Sequence, residues 1–172
     1  MANTYTLINS YTVGSGGAAD IEFTSVPGTY TDLLLKISAR TTRTGTDLQD
    51  ELFIQFNGNT SSYSTLMLEG DGSTTRSATY SSQTKLLYGA APTDNSTAST
   101  FSNCEYYIPN YTSSNNKSVS YESTAENNGT ATLMYLTAGL WANSAAITSI
   151  KITAYGTFDQ YSTAYLYGIK NS

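Results

Sequence analysis

Polar and apolar residues alternate with a period of two along most of this chain. Leu33, Leu35, Ile37 and Ala39 fall on one face of an extended segment, and Leu52, Ile54 and Phe56 repeat the pattern after a polar connection through Arg43, Gly45 and Asp47. A strand with one buried face produces this alternation, because successive side chains point to opposite sides. Asn57-Gly58 then supplies two residues tolerant of positive φ, and the stretch beyond it carries Tyr63, Leu66 and Leu68. Together these predict a hairpin over residues 51–69.

Further strands are predicted over residues 5–13, 20–26, 85–88, 101–108, 117–123, 130–140, 147–154 and 162–169, each rich in β-branched or aromatic residues. Turn chemistry separates them: Gly14-Ser15-Gly16-Gly17, Pro27-Gly28, Gly70-Asp71-Gly72-Ser73, Pro109-Asn110 and Asn127-Asn128-Gly129. The best helix-like piece, residues 140–146, is too short and contains Asn and Ser. Residues 89–99 are polar and read as a surface loop within the domain. Short strands spaced by turns predict an all-β fold, an antiparallel β-sandwich of jelly-roll type with about 8–11 strands. An up-and-down barrel is the alternative architecture.

With 172 residues, a single domain over 1–172 is expected. Apolar residues make up 39% of the chain, which implies a thin core under a Ser/Thr-rich surface. The net charge of −5 with only eight Lys and Arg disfavours nucleic acid and anionic membranes as partners. No apolar run approaches the ~20 residues that span a bilayer, and the start lacks a basic region followed by a long apolar stretch. Synthesis in a cytoplasm without an export signal is therefore expected. The five Asn-x-Ser/Thr triplets, at Asn59, Asn95, Asn110, Asn116 and Asn128, read as chance in so Ser/Thr/Asn-rich a chain.

Chemistry is scarce. The chain has no His, so the commonest general base and metal ligand is missing, and only 12% of residues are charged. Paired carboxylates are then the remaining route to hydrolysis. Asp20 and Glu22 share a strand face opposite Ile21 and Phe23, which reads as a solvated face. Glu69 and Asp71 bracket Gly70 in a Gly-rich turn, where Asp71 is expected to bond its own backbone. Residues 70–73 and 47–51 offer too few carboxylates for calcium's six to eight oxygen ligands. Residues 14–17 lack the Lys-Ser/Thr ending of a phosphate loop. Cys104 is the single cysteine and alternates as a core-facing strand residue. No catalytic, cofactor-binding or metal residue is assigned, and no cofactor is expected. The 15 tyrosines are read mainly as core and cross-strand pairs, with the exposed remainder suited to protein or sugar recognition.

Several phrases carry a resemblance. The opening Met-Ala-Asn-Thr-Tyr-Thr-Leu-Ile, Ser-Val-Pro-Gly-Thr-Tyr-Thr-Asp-Leu (25–33), Phe-Asn-Gly (56–58), Tyr-Ile-Pro-Asn-Tyr (107–111), Leu-Trp-Ala-Asn-Ser-Ala-Ala-Ile-Thr-Ser-Ile (140–150) and Tyr-Leu-Tyr-Gly-Ile-Lys (165–170) occur in this order. The chain thereby resembles a family of small all-β tailed-bacteriophage virion proteins, found as capsid decoration proteins and as fibre-tip-like domains. Most of these phrases also have a structural account: Pro27 and Pro109 at strand boundaries, Gly58 and Gly168 at turns or close approaches, and Trp141, Ile147 and Ile150 in the core.

The resemblance implies a non-enzymatic virion structural protein. It would assemble in the host bacterial cytoplasm and dock, as a homo-oligomer, on the outer surface of the virion, with the major capsid protein or other virion proteins as partners. The chain begins at the domain itself, which favours a capsid decoration or cement role. A tail-fibre or head-fibre adhesin that recognises host-surface glycan or protein is the alternative.

Overall fold

The computed structural model describes residues 4–44, 49–129 and 132–170. Gly45, Asp47 and Thr130, used in the sequence readings above, lie outside the described residues, as do Met1, Ala2 and Asn3 of the opening phrase. Among the described residues there is no helix and there are twelve strands. These are β1 (Tyr5–Thr12), β2 (Ala18–Phe23), β3 (Asp32–Ser38), β4 (Gln49–Phe56), β5 (Tyr63–Gly70), β6 (Thr75–Gln83), β7 (Leu86–Pro92), β8 (Asn103–Ile108), β9 (Lys117–Ala125), β10 (Leu133–Trp141), β11 (Ile150–Phe158) and β12 (Thr163–Ile169).

The strands form a β-sandwich. The larger, eight-stranded sheet has the order β1-β12-β3-β8-β9-β10-β5-β6, and the smaller has the order β2-β11-β4-β7. Every pairing is antiparallel. β1 pairs with β12, β2 with β11, β3 with β8 and β4 with β7. The chain is thus one long antiparallel ribbon whose successive rungs alternate between the two sheets. Strands β5 and β6, inserted between β4 and β7, and β9 and β10, inserted between β8 and β11, widen the larger sheet beyond β8.

The inner faces of β3 and β4 are those the alternation predicts, and β9 and β12 add to them. Leu33, Leu35, Ile37, Leu52, Ile54, Phe56, Val119, Tyr121 and Leu166 lie in the main core with Trp141, Ile147 and Ile150. Tyr106 and Tyr121 stack at 4.6 Å between ring centroids, and Tyr63 stacks on Trp141 at 6.1 Å. Tyrosines do the filling that leucine does in richer cores, and burial pushes the Tyr63 hydroxyl pKa up to about 12. Cys104 is buried in this core as a free thiol, and desolvation raises its pKa to about 11.

A second, smaller core holds Met67, Tyr88, Ala90, Ala125 and Tyr135, where the larger sheet overhangs the edge of β7. Tyr88 reaches it through a bulge: the pairing of β4 with β7 slips between Leu52 and Ile54, and Tyr88 sits at φ 69°. A bulky residue in this region is strained. Its ring is held between Tyr80 and Tyr135 at 5.0 and 5.4 Å, while Leu86 on the same strand enters the main core.

The structure corrects four readings. The predicted hairpin over residues 51–69 does not form, because β4 and β5 belong to different sheets. Asn57 and Gly58 do turn the chain, at φ 53° and 64°, but the turn carries it across the sandwich. In β5 the buried set is Tyr63, Thr65, Met67 and Glu69, so Leu66 and Leu68 face outward. β6 was absent from the predicted set and brings the count to twelve, because its sequence is polar and it buries little. Residues 89–99 are not wholly a surface loop: β7 runs through them to Pro92, and Thr93 and Ser96 are buried. Arg40 holds the rest, donating to the carbonyls of Thr97 at 3.0 Å, Thr100 at 3.3 Å and Ser96 at 3.2 Å.

Candidate functional site

The carboxylates weighed for catalysis are dispersed. Asp20 pairs with Lys151 at 2.8 Å, on the face of β2 opposite the buried Ile21 and Phe23. Glu69 is buried against Arg76 at 2.7 Å. Asp71 closes its own turn: it accepts from the backbone N–H groups of Ser73 at 2.8 Å and Thr74 at 2.6 Å and from both hydroxyls. Those bonds hold its carboxyl well below the usual range. Residues 14–17 form a turn closed by Gly17 N–H on Gly14 O at 3.1 Å. Among the described residues no group of three or more Cys, Asp or Glu side chains converges to hold a metal.

Two buried charges have structural jobs. Lys117 is covered at the end of β9 and donates to the carbonyls of Ser113 at 2.7 Å, Asn115 and Asn143 at 3.4 Å, so that its ammonium ties two loops together. Burial lowers its pKa. Asp50 accepts from Thr41 Oγ1 at 2.8 Å and from the N–H groups of Glu51, Tyr155 and Gly156 at 2.8, 3.3 and 2.9 Å. It thereby fixes the irregular stretch of β11 between Thr153 and Phe158, where the pairing with β2 slips.

The outer face of the larger sheet carries most of the exposed large apolar side chains among the described residues. On its β5–β10 half, Leu68 lies directly opposite Leu136 and Leu66 opposite Ala138, with Met134 beyond. Leu66, Leu68, Met134 and Leu136 are 52%, 51%, 59% and 62% exposed. Neighbouring positions carry Ser77 and Ser120, with Glu122 at the β9 border. On the β1–β8 half, Tyr5, Leu7, Tyr107 and Tyr165 are exposed around the ion pair of Lys36 with Glu105 at 2.8 Å. Tyr5, Leu34 and Tyr167 line an open groove of about 260 Å³ beside that pair.

A groove of different character, about 350 Å³, lies where the overhanging β10 meets the outer side of β4 and β11. Gln49, Glu51, Leu133, Tyr135, Arg43 and Tyr155 line it, with Asp50 at its base. The Arg43 guanidinium sits 4.8 Å from the Tyr155 ring centroid, and Phe53 meets the same ring edge-on at 4.9 Å. Glu51 is half-buried, and its side chain has no hydrogen-bond or ion-pair partner among the described residues. Burial, then the neighbouring Asp50 charge, raises its pKa.

Sequence reasoning anticipated the local turn of Asp71, but of the tyrosines read as mainly core or cross-strand pairs only Tyr63, Tyr88, Tyr106, Tyr111, Tyr121 and Tyr135 are buried, and which ones was not legible. It missed the groove and the leucine face, because each is assembled from strands far apart in the chain. The single local signal was the outward parity of Leu66 and Leu68 relative to Tyr63. Comparison with known proteins finds no match: no family model, no curated protein and no solved structure.

Proposed function

We propose that this protein is a non-enzymatic virion structural protein of a tailed bacteriophage, a capsid decoration protein that docks through the outer face of its larger sheet. The observation that carries the reading is the leucine and methionine patch of β5 and β10. A contiguous apolar face of this kind on a β-sandwich marks an interaction surface, because each exposed aliphatic side chain forgoes the stabilisation of burial. Aromatic residues and methionine are enriched at interface cores, and both halves of this face supply them. Many weak copies on one particle would act together through avidity. The ribbon pairing of β1–β4 with β12, β11, β8 and β7 supports a jelly-roll reading of the sandwich, in keeping with the sequence resemblance to phage virion domains. Self-association fits the same face.

The test is particle assembly. Wild-type protein should co-sediment with heads lacking it and delay their heat-induced DNA release. Leu66→Lys combined with Leu136→Lys, the latter opposite Glu122, should abolish both while leaving the melting temperature within about 2 °C, as expected for surface changes. Equal survival of heads with and without the protein would reject the cement role.

The fibre adhesin is the second reading. The polar and aromatic groove beside Tyr155 favours it.

A further inference from the structure

The groove between β10 and the outer side of β4 and β11 has the composition of a ligand site rather than of a protein-docking face. Its volume falls in the range of small-molecule sites, and it combines aromatic walls with a few polar groups of fixed position. Tyr155 is 64% exposed, yet its backbone is immobilised by two N–H bonds to the buried Asp50. The ring itself is held by Phe53 edge-on at 4.9 Å and by the Arg43 guanidinium over it at 4.8 Å, so the placement of this exposed side chain needs no ligand. Leu133 and the edge of Tyr135, whose ring is buried in the smaller core, close the opposite wall. Between them stands Glu51, a carboxylate carried on a central strand of the smaller sheet, partly desolvated, under the field of Arg43 and Lys85 but with no hydrogen bond to its side chain among the described residues.

We propose that this groove binds a neutral oligosaccharide. A pyranose ring has an apolar C–H face, which stacks on an exposed aromatic ring, and a rim of hydroxyls, which a carboxylate accepts two at a time. Tyr155 supplies the first element and Glu51 the second. Charge selects within the class. Arg43 is paired with Asp50 at 3.5 Å, and Lys85, 5.7 Å from the Tyr155 ring centroid, acts on Glu51, so the two cations offset the two carboxylates around the groove. Neither an acidic nor an amino sugar gains a net attraction there, and a neutral sugar is the best match. One free carboxylate is far from the six to eight oxygens that calcium requires, which excludes the ion as the intended ligand. The site is separate from the leucine face and does not depend on the decoration reading.

The experiment uses the full chain on a microbial glycan array that holds neutral, acidic and amino-sugar polysaccharides, followed by titration calorimetry with the bound glycans. Saturable binding to neutral glycans is expected. Tyr155→Ala and Glu51→Ala should each weaken it about tenfold, equivalent to about 1.4 kcal/mol. Tyr155→Phe, which keeps the stacking face, should retain it within about threefold, and this variant keeps the test decisive if Tyr155→Ala fails to fold. No glycan bound, binding confined to acidic glycans, or affinity unchanged in both alanine variants would overturn the proposal.

Discussion

Asn57 should be the most informative single position for stability. It opens the turn after β4 at φ 53°, and its side chain reaches across to the segment before β11. Its Nδ2 donates to Ala146 O at 2.7 Å, and its Oδ1 accepts from the N–H groups of Thr148 at 2.8 Å and Ser149 at 3.0 Å and from Thr148 Oγ1 at 3.2 Å. Such bonds contribute roughly 0.5–1.5 kcal/mol each, the exposed ones at the lower end, so together they are worth about 2 kcal/mol. Alanine also meets the left-handed backbone penalty of roughly 1 kcal/mol, which asparagine tolerates and glycine escapes. Asn57→Asp should therefore cost about 1 kcal/mol through loss of the Nδ2 donor, Asn57→Gly about 2 and Asn57→Ala about 3. In a chain of this size Asn57→Ala should lower the melting temperature by about 6–12 °C. Urea titration of the three variants, with unchanged m-values, measures the series. If Asn57→Ala falls within about 0.5 kcal/mol of wild type, the side chain does not tie the turn after β4 to the segment before β11; if Asn57→Gly costs as much as Asn57→Ala, the backbone argument fails.

Two further outcomes follow from packing and charge. Gly168 lies under the Tyr30 ring, where an added Cβ would overlap the ring atoms, so Gly168→Ala should destabilise by about 1–3 kcal/mol. In the Tyr30→Ala background the same change should cost close to nothing, and additive costs would refute the contact. Glu51 has a folded-state pKa raised by burial, so the unfolded chain loses its proton first as pH rises, and stability is lost as pH climbs through the folded pKa. Glu51→Gln should thus raise the melting temperature at pH 7, with the gain vanishing below about pH 4, under the ordinary glutamate pKa. A gain that persists at low pH would show that the charge is not its source.

The local half of the fold was legible in the sequence. Period-two patterning located β3, β8, β9 and β12 because each has one buried face and residues that say so. Asp71 declared its turn through Ser73 and Thr74, neighbours in the chain. Long-range geometry left no such trace. Asn57-Gly58 encodes a reversal but not which sheet receives the next strand, which is set by the pairing of β5 with β10, about 70 residues on. β6 has no apolar alternation to detect, since it is an edge strand paired to β5 alone. The segment after β7 reads as polar because its burial depends on Arg40, about 55 residues earlier. In β5, Leu66 and Leu68 outrank Thr65 and Met67 in apolarity, so the pattern pointed to the wrong face. A leucine that violates its expected parity is itself a sign that the outer face has work to do.

The strained Tyr88 bulge divides one strand between two cores, and this sets the order in which the molecule opens. β6 hangs from a single neighbour above the smaller core, so its amides should exchange with deuterium through a local release that leaves the β3–β8–β12 centre closed. Fraying therefore begins on the leucine side, and the tyrosine side behaves as the rigid foldon from which the sandwich closes again.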